Sequence, residues 1–264
     1  GTIAIWKTVD LGAEPRTITL GSTVGHYIRG SIIGTGGLVL QDLDVKGLSL
    51  YGANTFSWGV TILNGNIGFL GDSAFGTGML TLGDSTTTTN IQITGNGTVT
   101  NDILVMPGVA GARTLGCTNY GTAVYSGSIY LGTDLIVGVA SATYPRTIIV
   151  SGPVSGAGSL LVNGATPNSV TLSGANSYDG TTTVAGGTLV VSNTTGSATG
   201  NGAVTVRANA VLAGTGIFGG TVTLEAGAAL APGVAGLGLL TLNNTLALAT
   251  NSTVLMELDK ALGT

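Results

Sequence analysis

The chain has 264 residues, of which 43% are hydrophobic and only 8% are charged, and its net charge is −4. This mild acidity argues against nucleic acid and anionic membrane surfaces as partners, because both attract clustered Lys and Arg and the eight basic residues here are scattered. The single cysteine, Cys117, excludes an intrachain disulfide, and recurring apolar runs exclude a disordered chain.

Short Val/Ile/Leu/Thr runs separated by Gly, Asn, Asp and Ser predict many short strands joined by tight turns. No segment shows a capped apolar spacing of 3.6 residues, so we expect almost no helix. In chain order the predicted strands are Thr17–Leu20, Leu38–Leu40, Val45–Leu50, Val60–Leu63, Ile67–Leu70, Met79–Leu82, Ile91–Ile93, Ile103–Val105, Ile129–Leu131, Leu135–Val139, Thr147–Val150, Leu160–Val162, Val170–Leu172, Thr182–Val184, Leu189–Val191, Val204–Val206, Val222–Leu224, Leu239–Leu242, Thr245–Leu248 and Val254–Leu258.

The sequence nearly repeats itself at a spacing of 122 residues, since Leu48–Phe69 aligns with Val170–Val191. Both copies carry Gly-Ala-Asn, at 52–54 and 174–176. Such a repeat indicates an array in which each unit buries its apolar face against the next. We therefore predict a single elongated all-β domain, a parallel β-solenoid of about 11–13 coils.

Within residues 1–264 the pattern predicts the following organisation: repeat copies at about 31–108 and 153–233, a less regular insert at about 109–146 and further coils over 220–264. Residues 226–256 carry no charge, but Pro232, three Asn and repeated Gly interrupt them, so we predict no membrane insertion. The first ten residues lack a basic start followed by an apolar stretch, so they predict no signal peptide.

Residues 156–193, GAGSLLVNGATPNSVTLSGANSYDGTTTVAGGTLVVSN, resemble the passenger-associated transport repeat, also called the autotransporter-associated β-strand repeat. The first copy is degenerate, with Tyr51 and Trp58 where the second has Ser173 and Gly180. Gly220–Asp259 is similar to the C-terminal part of an autotransporter passenger. The resemblance implies a right-handed parallel β-helix on the bacterial surface, and it does not imply an enzyme.

Few residues could carry chemistry. Asp42 and Asp44 would share one strand face, as calcium or an acid/base pair requires, but the second copy has Gly164 and Thr166 there, which favours two solvated acids. The only histidine, His26, and Cys117 have no partner nearby in sequence, so structural roles are expected. We predict no catalytic residue, no cofactor and no metal site.

Two sets of residues stand out for other roles. Gly52, Asn54, Gly174 and Asn176 are predicted turn residues, whose Asn side chains bond turn backbone. Aromatic residues anchor interfaces, and the candidate contact residues are Trp6, Tyr51, Phe56 and Trp58. The expected partners are other copies of the chain, end to end or side by side, and a host or surface glycan.

The predicted function is a non-enzymatic, extracellular, structural or adhesive element of a bacterial surface, assembling into fibres or a coat. Two alternatives stay open. One is a passenger stalk that carries a separate effector domain. The other is a β-helix carbohydrate-active lyase or hydrolase, which would require three or more of a set of acids to converge in one groove, the set being Asp42, Asp44, Asp72, Asp84 and Asp102.

Overall fold

The computed structural model describes residues 1–21, 24–42, 47–118, 120–139, 144–233 and 236–257. Over these residues it contains 29 strands and no helix, and every ladder between them is parallel, as in a coiled chain that stacks on itself. The predicted fold class, an all-β parallel solenoid, is confirmed.

The first fifteen strands are β1 (Ala4–Ile5), β2 (Val9–Asp10), β3 (Arg16–Leu20), β4 (His26–Ile28), β5 (Ile32–Ile33), β6 (Leu38–Asp42), β7 (Leu48–Tyr51), β8 (Val60–Leu70), β9 (Leu80–Leu82), β10 (Ile91–Val99), β11 (Ile103–Val105), β12 (Arg113–Cys117), β13 (Thr122–Tyr125), β14 (Ile129–Leu131) and β15 (Leu135–Val139). The segment 109–146, expected as a less regular insert, thus supplies β12 to β15 in its described part.

The remaining strands are β16 (Thr147–Val150), β17 (Val154–Gly156), β18 (Leu160–Gly164), β19 (Ser169–Leu172), β20 (Thr182–Val184), β21 (Gly187–Val191), β22 (Val204–Val206), β23 (Ala210–Gly214), β24 (Ile217–Phe218), β25 (Val222–Leu224), β26 (Ala229–Pro232), β27 (Thr241–Leu242), β28 (Leu246–Leu248) and β29 (Thr253–Val254).

One continuous ladder, here called face 1, runs along the whole described solenoid. Its rungs are β1, β4, β7, residues 67–70 of β8, residues 91–96 of β10, β12, β15, β18, β20, β22, β25 and β28. Twelve rungs among the described residues make about eleven turns. At about 4.8 Å per rung the rod is about 53 Å long. The turns are unequal in length: the one from Thr205 to Thr223 is short, and the one from Gly68 to Thr94 is long.

Two further ladders complete the cross-section. Face 2 contains β3, β6, the start of β8, β9, β11, β14 and β17. Face 3 contains residues 97–99 of β10, β13, β16, β19, β21, β23, β26 and β29. Strands β8 and β10 each bend across two faces, at Gly65 (φ +86°) and Gly97 (φ +121°), because glycine tolerates positive φ.

The interior is filled by side chains that alternate with outward ones along each strand. The alternation places equivalent apolar residues of successive turns directly above one another. One such column on face 1 is fully buried and consists of Leu115, Val137, Val162, Val184, Val206 and Leu224. Each buried aliphatic side chain of this size contributes about 1.5–3 kcal/mol to stability, so the column holds the turns together along the axis.

Strands that match at the 122-residue spacing lie on different faces of the solenoid. Strand β6 belongs to face 2, whereas its counterpart β18 belongs to face 1; β7 belongs to face 1 and its counterpart β19 to face 3. Five turns along face 1 lead from Leu48 to Val162, whereas the sequence repeat leads from Leu48 to Val170. The sequence repeat is therefore longer than five turns of the solenoid by about one face.

Candidate functional surface

Asn54 links three consecutive turns through its side chain. Its Oδ1 accepts the backbone N–H of Ile32 at 2.7 Å, and its Nδ2 donates to the carbonyl of Ala74 at 2.7 Å. The side chain is 3% exposed. Gly52, two residues earlier, has a φ of +84° at the corner that leads into this turn. The amide thus serves the backbone of the neighbouring turns.

Asn176 makes the same pair of bonds one repeat later. Its Oδ1 accepts the N–H of Val154 at 2.8 Å, and its Nδ2 donates to the carbonyl of Ala198 at 2.6 Å. Gly174 precedes it as Gly52 precedes Asn54, and a Cβ there would lie 2.5 Å from the carbonyl oxygen of Gly152. The local hydrogen bonding of the two corners is therefore the same, although the corners lie on different edges of the rod.

Three exposed carboxylates also serve the turns. Each accepts a backbone N–H from the next turn, at 2.7–2.8 Å; the pairs are Asp72 with Thr98, Asp102 with Ser128 and Asp134 with Ser159. Within the described ranges no three residues among His, Cys, Asp and Glu come close enough to hold a metal ion. The side chain of Asp42 and the whole of Asp44 lie outside the described residues.

Asp84 and Arg113 stabilise one irregular corner between β9 and β12. The Asp84 carboxylate accepts bonds from the hydroxyls of Thr86 and Thr87, at 2.8 and 3.0 Å, and these bonds lower its pKa. The Arg113 side chain is buried and donates to the carbonyl of Thr89 at 3.3 Å. Burial lowers the pKa of Arg113, whereas the charge of Asp84 acts to raise it. The pair fits a structural role.

His26 and Cys117 are both buried in the wall of the rod. His26 accepts the backbone N–H of Ile3 through Nδ1 at 3.1 Å, which fixes the first turn on the second. The Cys117 thiol lies 3.3 Å from Oδ1 of Asn96, and burial raises its pKa. A raised pKa keeps the thiol protonated and poorly nucleophilic.

The four candidate contact residues divide into two groups. Phe56 is fully buried in the core, so it is not available as a surface contact, and its prediction as an interface residue is corrected. The apolar ring fills the interior at the turn that Asn54 stabilises. Trp58 is 55% exposed and lies across Gly37, whose Cβ would be 2.5 Å from the indole ring. Trp6 is 70% exposed and Tyr51 is half-buried.

Trp6 and Tyr51 form one cluster with two residues that the sequence had not singled out. The guanidinium carbon of Arg29 lies 4.4 Å from the ring centroid of Tyr51, 5.0 Å from that of Trp6 and 5.5 Å from that of Tyr27. Because Ile5, Ile28 and Leu50 are in register, the next residues of these strands, Trp6, Arg29 and Tyr51, follow one another along the rod. We call these four residues the aromatic–arginine cluster.

A shallow depression adjoins this cluster on face 1. It is here called the Gly68 groove, and the residues that line it include Ser49, Tyr51, Asn66, Gly68, Leu70 and Thr94. The Ser49 side chain packs directly against Gly68, where a Cβ would lie 2.7 Å from Oγ of Ser49. On the far side the Thr94 hydroxyl donates to Oδ1 of Asn66 at 3.2 Å. The groove thus combines one aromatic ring with several neutral polar groups.

Sequence reasoning missed Tyr27 and Arg29 because the coil length was not known in advance. The signal that could have found Arg29 is its position midway between Trp6 and Tyr51, about one turn from each. The turns of this chain are unequal in length, so that spacing alone would also have selected many unrelated triplets.

No helix in the described part of the chain is long and apolar enough to cross a membrane. No protein-family model and no solved structure matches the chain. Over 128 residues, the chain is 39% identical to the adhesin BmaC autotransporter of Brucella suis biovar 1 (strain 1330). The match includes 48% of this chain and 3% of that relative. Together with the parallel solenoid, it confirms the resemblance to autotransporter passenger repeat proteins.

Proposed function

We propose that this chain is a non-enzymatic, adhesive segment of a bacterial surface protein. The observation that carries the proposal is the 39% identity to a relative named an adhesin, over about half of the chain. The chain spans only 3% of that relative, so adhesion is assigned here from the sequence match together with the surface just described.

The solenoid suits adhesion because it presents side chains on a rigid support. Outward residues on face 1 are held one rung apart by the backbone ladder, so ordering them on binding costs little conformational entropy. Trp6 and Tyr51 then supply the large contact area that aromatic residues bring to interfaces. The carboxylates of Asp72, Asp102 and Asp134 are instead engaged by turn backbone, which favours a binding role over a hydrolytic one.

The proposed location is extracellular, at the bacterial surface. A related proposal is self-association into fibres or a coat, favoured by the low content of charged residues, 8%, which gives little repulsion between neighbouring copies. The proposed partners are therefore a host or surface glycan and further copies of the chain.

Adhesion is tested with fluorescent beads coated with the purified chain and incubated with cultured epithelial cells. Adherence well above that of beads coated with albumin supports the proposal. Adherence equal to the albumin control contradicts it and favours the alternative of a passenger stalk, because a stalk supports an effector without binding on its own.

A further inference from the structure

We propose that the aromatic–arginine cluster and the Gly68 groove together bind a carboxylate-bearing sugar of a glycan. The inference rests on the proposed adhesive function and names the ligand class for it. The two features share Tyr51 and lie on the same outward surface of face 1, so one saccharide residue can contact both.

The position of Arg29 selects a carboxylate. Its side chain is exposed, and its guanidinium lies among the rings of Trp6, Tyr27 and Tyr51, which hold it by cation–π attraction. Because Arg29 is exposed, N–H groups that do not face a ring remain open to solvent, and the planar guanidinium matches the two oxygens of a carboxylate.

The groove selects a sugar ring beside that carboxylate. A pyranose has C–H groups on its faces and hydroxyls around its edge, so it needs an apolar surface bordered by hydrogen-bonding groups. Tyr51 and the half-exposed Leu70 offer the apolar surface. Ser49, Asn66 and Thr94 supply hydroxyl and amide groups that can both donate and accept.

General attraction of polyanions does not explain such binding. The chain carries a net charge of −4, so its overall electrostatic field does not attract polyanions. At 0.1 M salt this field is also screened beyond about 10 Å. Retention of an acidic glycan would therefore depend on local contacts around Arg29, and removing that one cation should abolish most of it.

The probes are polygalacturonate and its methyl ester, immobilised on biosensor surfaces, together with polymers that carry 3′-sialyllactose or lactose. Each pair presents similar sugars with and without a carboxylate, and the two acidic probes distinguish a uronic acid from a sialic acid. We expect the purified chain to bind at least one acidic probe about tenfold more strongly than its neutral partner. Binding to neither acidic probe, or equal binding within both pairs, overturns the inference.

Substitutions locate the site. Arg29→Gln and Tyr51→Ala should each weaken binding about tenfold. Two matched changes elsewhere on the exposed surface, Arg207→Gln and Tyr130→Ala, should leave it unchanged. Because all four side chains point outward from the core, circular dichroism should show the same melting temperature within about 3 °C. If both Arg29→Gln and Tyr51→Ala bind the acidic probe as strongly as the unaltered chain does, the proposed location of the site is wrong.

The bead assay separates this inference from the proposed function. If beads coated with the unaltered chain adhere to cells and beads coated with Arg29→Gln adhere equally well, the adhesive function is supported and the acidic-sugar site is contradicted. If beads with the unaltered chain do not adhere, the adhesive function fails, and the binding to polygalacturonate or sialyllactose is judged by the biosensor alone.

Discussion

At the scale of single residues, the amide of Asn176 acts as a bridge that the backbone cannot replace. It pairs a buried N–H of one turn and a buried carbonyl of another. We predict that Asn176→Ala lowers the free energy of unfolding by about 2–4 kcal/mol, because each of the two backbone groups left unpaired costs about 1–3 kcal/mol. Urea denaturation followed by circular dichroism measures the change.

The control for this prediction is Asn201→Ala, since Asn201 is exposed. Its effect should stay within about 0.5 kcal/mol. Asn54→Ala should resemble Asn176→Ala because its two hydrogen bonds are equivalent. Equal stability of the Asn201→Ala and Asn176→Ala variants would show that the amide bridge does not stabilise the turns.

Two buried tyrosines predict a loss of stability at alkaline pH. Burial is the main cause that raises the pKa of Tyr125 and of Tyr178, each of which is also hydrogen-bonded, to Gly116 and Thr182 respectively. In the unfolded chain a tyrosine loses its proton near pH 10. The folded state therefore holds protons that the unfolded state releases, so stability is unaffected below about pH 10 and falls as pH rises further.

Absorbance of tyrosinate at 295 nm, recorded with circular dichroism during a pH titration, tests this prediction. Tyr125 and Tyr178 should lose their phenolic protons only when the chain unfolds. The variant Tyr125→Phe should show a weaker dependence of melting temperature on pH above about 10. Titration of Tyr125 and Tyr178 while the chain is still folded would contradict the prediction.

At the scale of elements, corner glycines set how closely successive turns stack. A Cβ on Gly152 would overlap the carbonyl oxygen of Gly127, and a Cβ on Gly127 would overlap that of Asn101. We predict that Gly152→Ala lowers the free energy of unfolding by about 1–3 kcal/mol, because the corner must shift to admit the methyl group.

The matched change is Gly21→Ala, where a Cβ meets nothing within 4 Å. That variant should be as stable as the unaltered chain or slightly more stable, because alanine restricts the unfolded state. Thermal melts of the two variants under the same conditions make the comparison. If the Gly152→Ala variant has the same melting temperature as the Gly21→Ala variant, the corner at Gly152 is not tightly packed.

The strands were predictable wherever Val, Ile and Leu alternate with Thr, as in β22 and β25. Strand β12 was missed because Arg113–Cys117 has only one aliphatic side chain, Leu115. Its Gly and Cys belong to a strand only because they pair with the neighbouring strand, which the local sequence does not reveal. The prediction split β8 into two strands, since Gly65 reads as a turn although it is a bend within one strand.

The aromatic–arginine cluster was predictable only in part, for a reason that also concerns the elements. Trp6 and Tyr51 were selected as candidate interface residues because they are aromatic, but their contact through Arg29 depends on which residues of different turns lie in register. Register follows from the length of each turn, and that length changes along the rod, as the turns Thr205 to Thr223 and Gly68 to Thr94 show. Local sequence patterns do not determine those lengths.

At the scale of the whole molecule, the 122-residue repeat places the same type of corner on two different edges of the solenoid. The same Gly-Ala-Asn corner forms at Asn54 and at Asn176, although the copies are rotated by about one face. The corner needs an N–H from the turn below and a carbonyl from the turn above, and both of these edges provide them. Repeats of this kind therefore tolerate turns of unequal length.

The last prediction concerns association of whole rods. The C-terminal end of the described solenoid exposes large apolar side chains, with Leu239 78% and Met256 75% exposed, and only 8% of the residues are charged. Low charge gives little repulsion between neighbours, and exposed apolar side chains favour contacts between copies of the chain. We expect the 264-residue chain at micromolar concentration to sediment as a mixture of monomer and larger species.

Replacing both side chains, with Leu239→Ser and Met256→Ser, should shift the population toward monomer because the apolar area that drives association is reduced. The matched change is Met79→Ser, at a residue that is 49% exposed and distant in sequence from that end, and it should leave the distribution unaltered. Contacts that repeat head to tail without closing would extend into filaments, so the species should grow in size with concentration. A single sharp monomer boundary at every salt concentration would rule out self-association and leave adhesion as the function of an isolated rod.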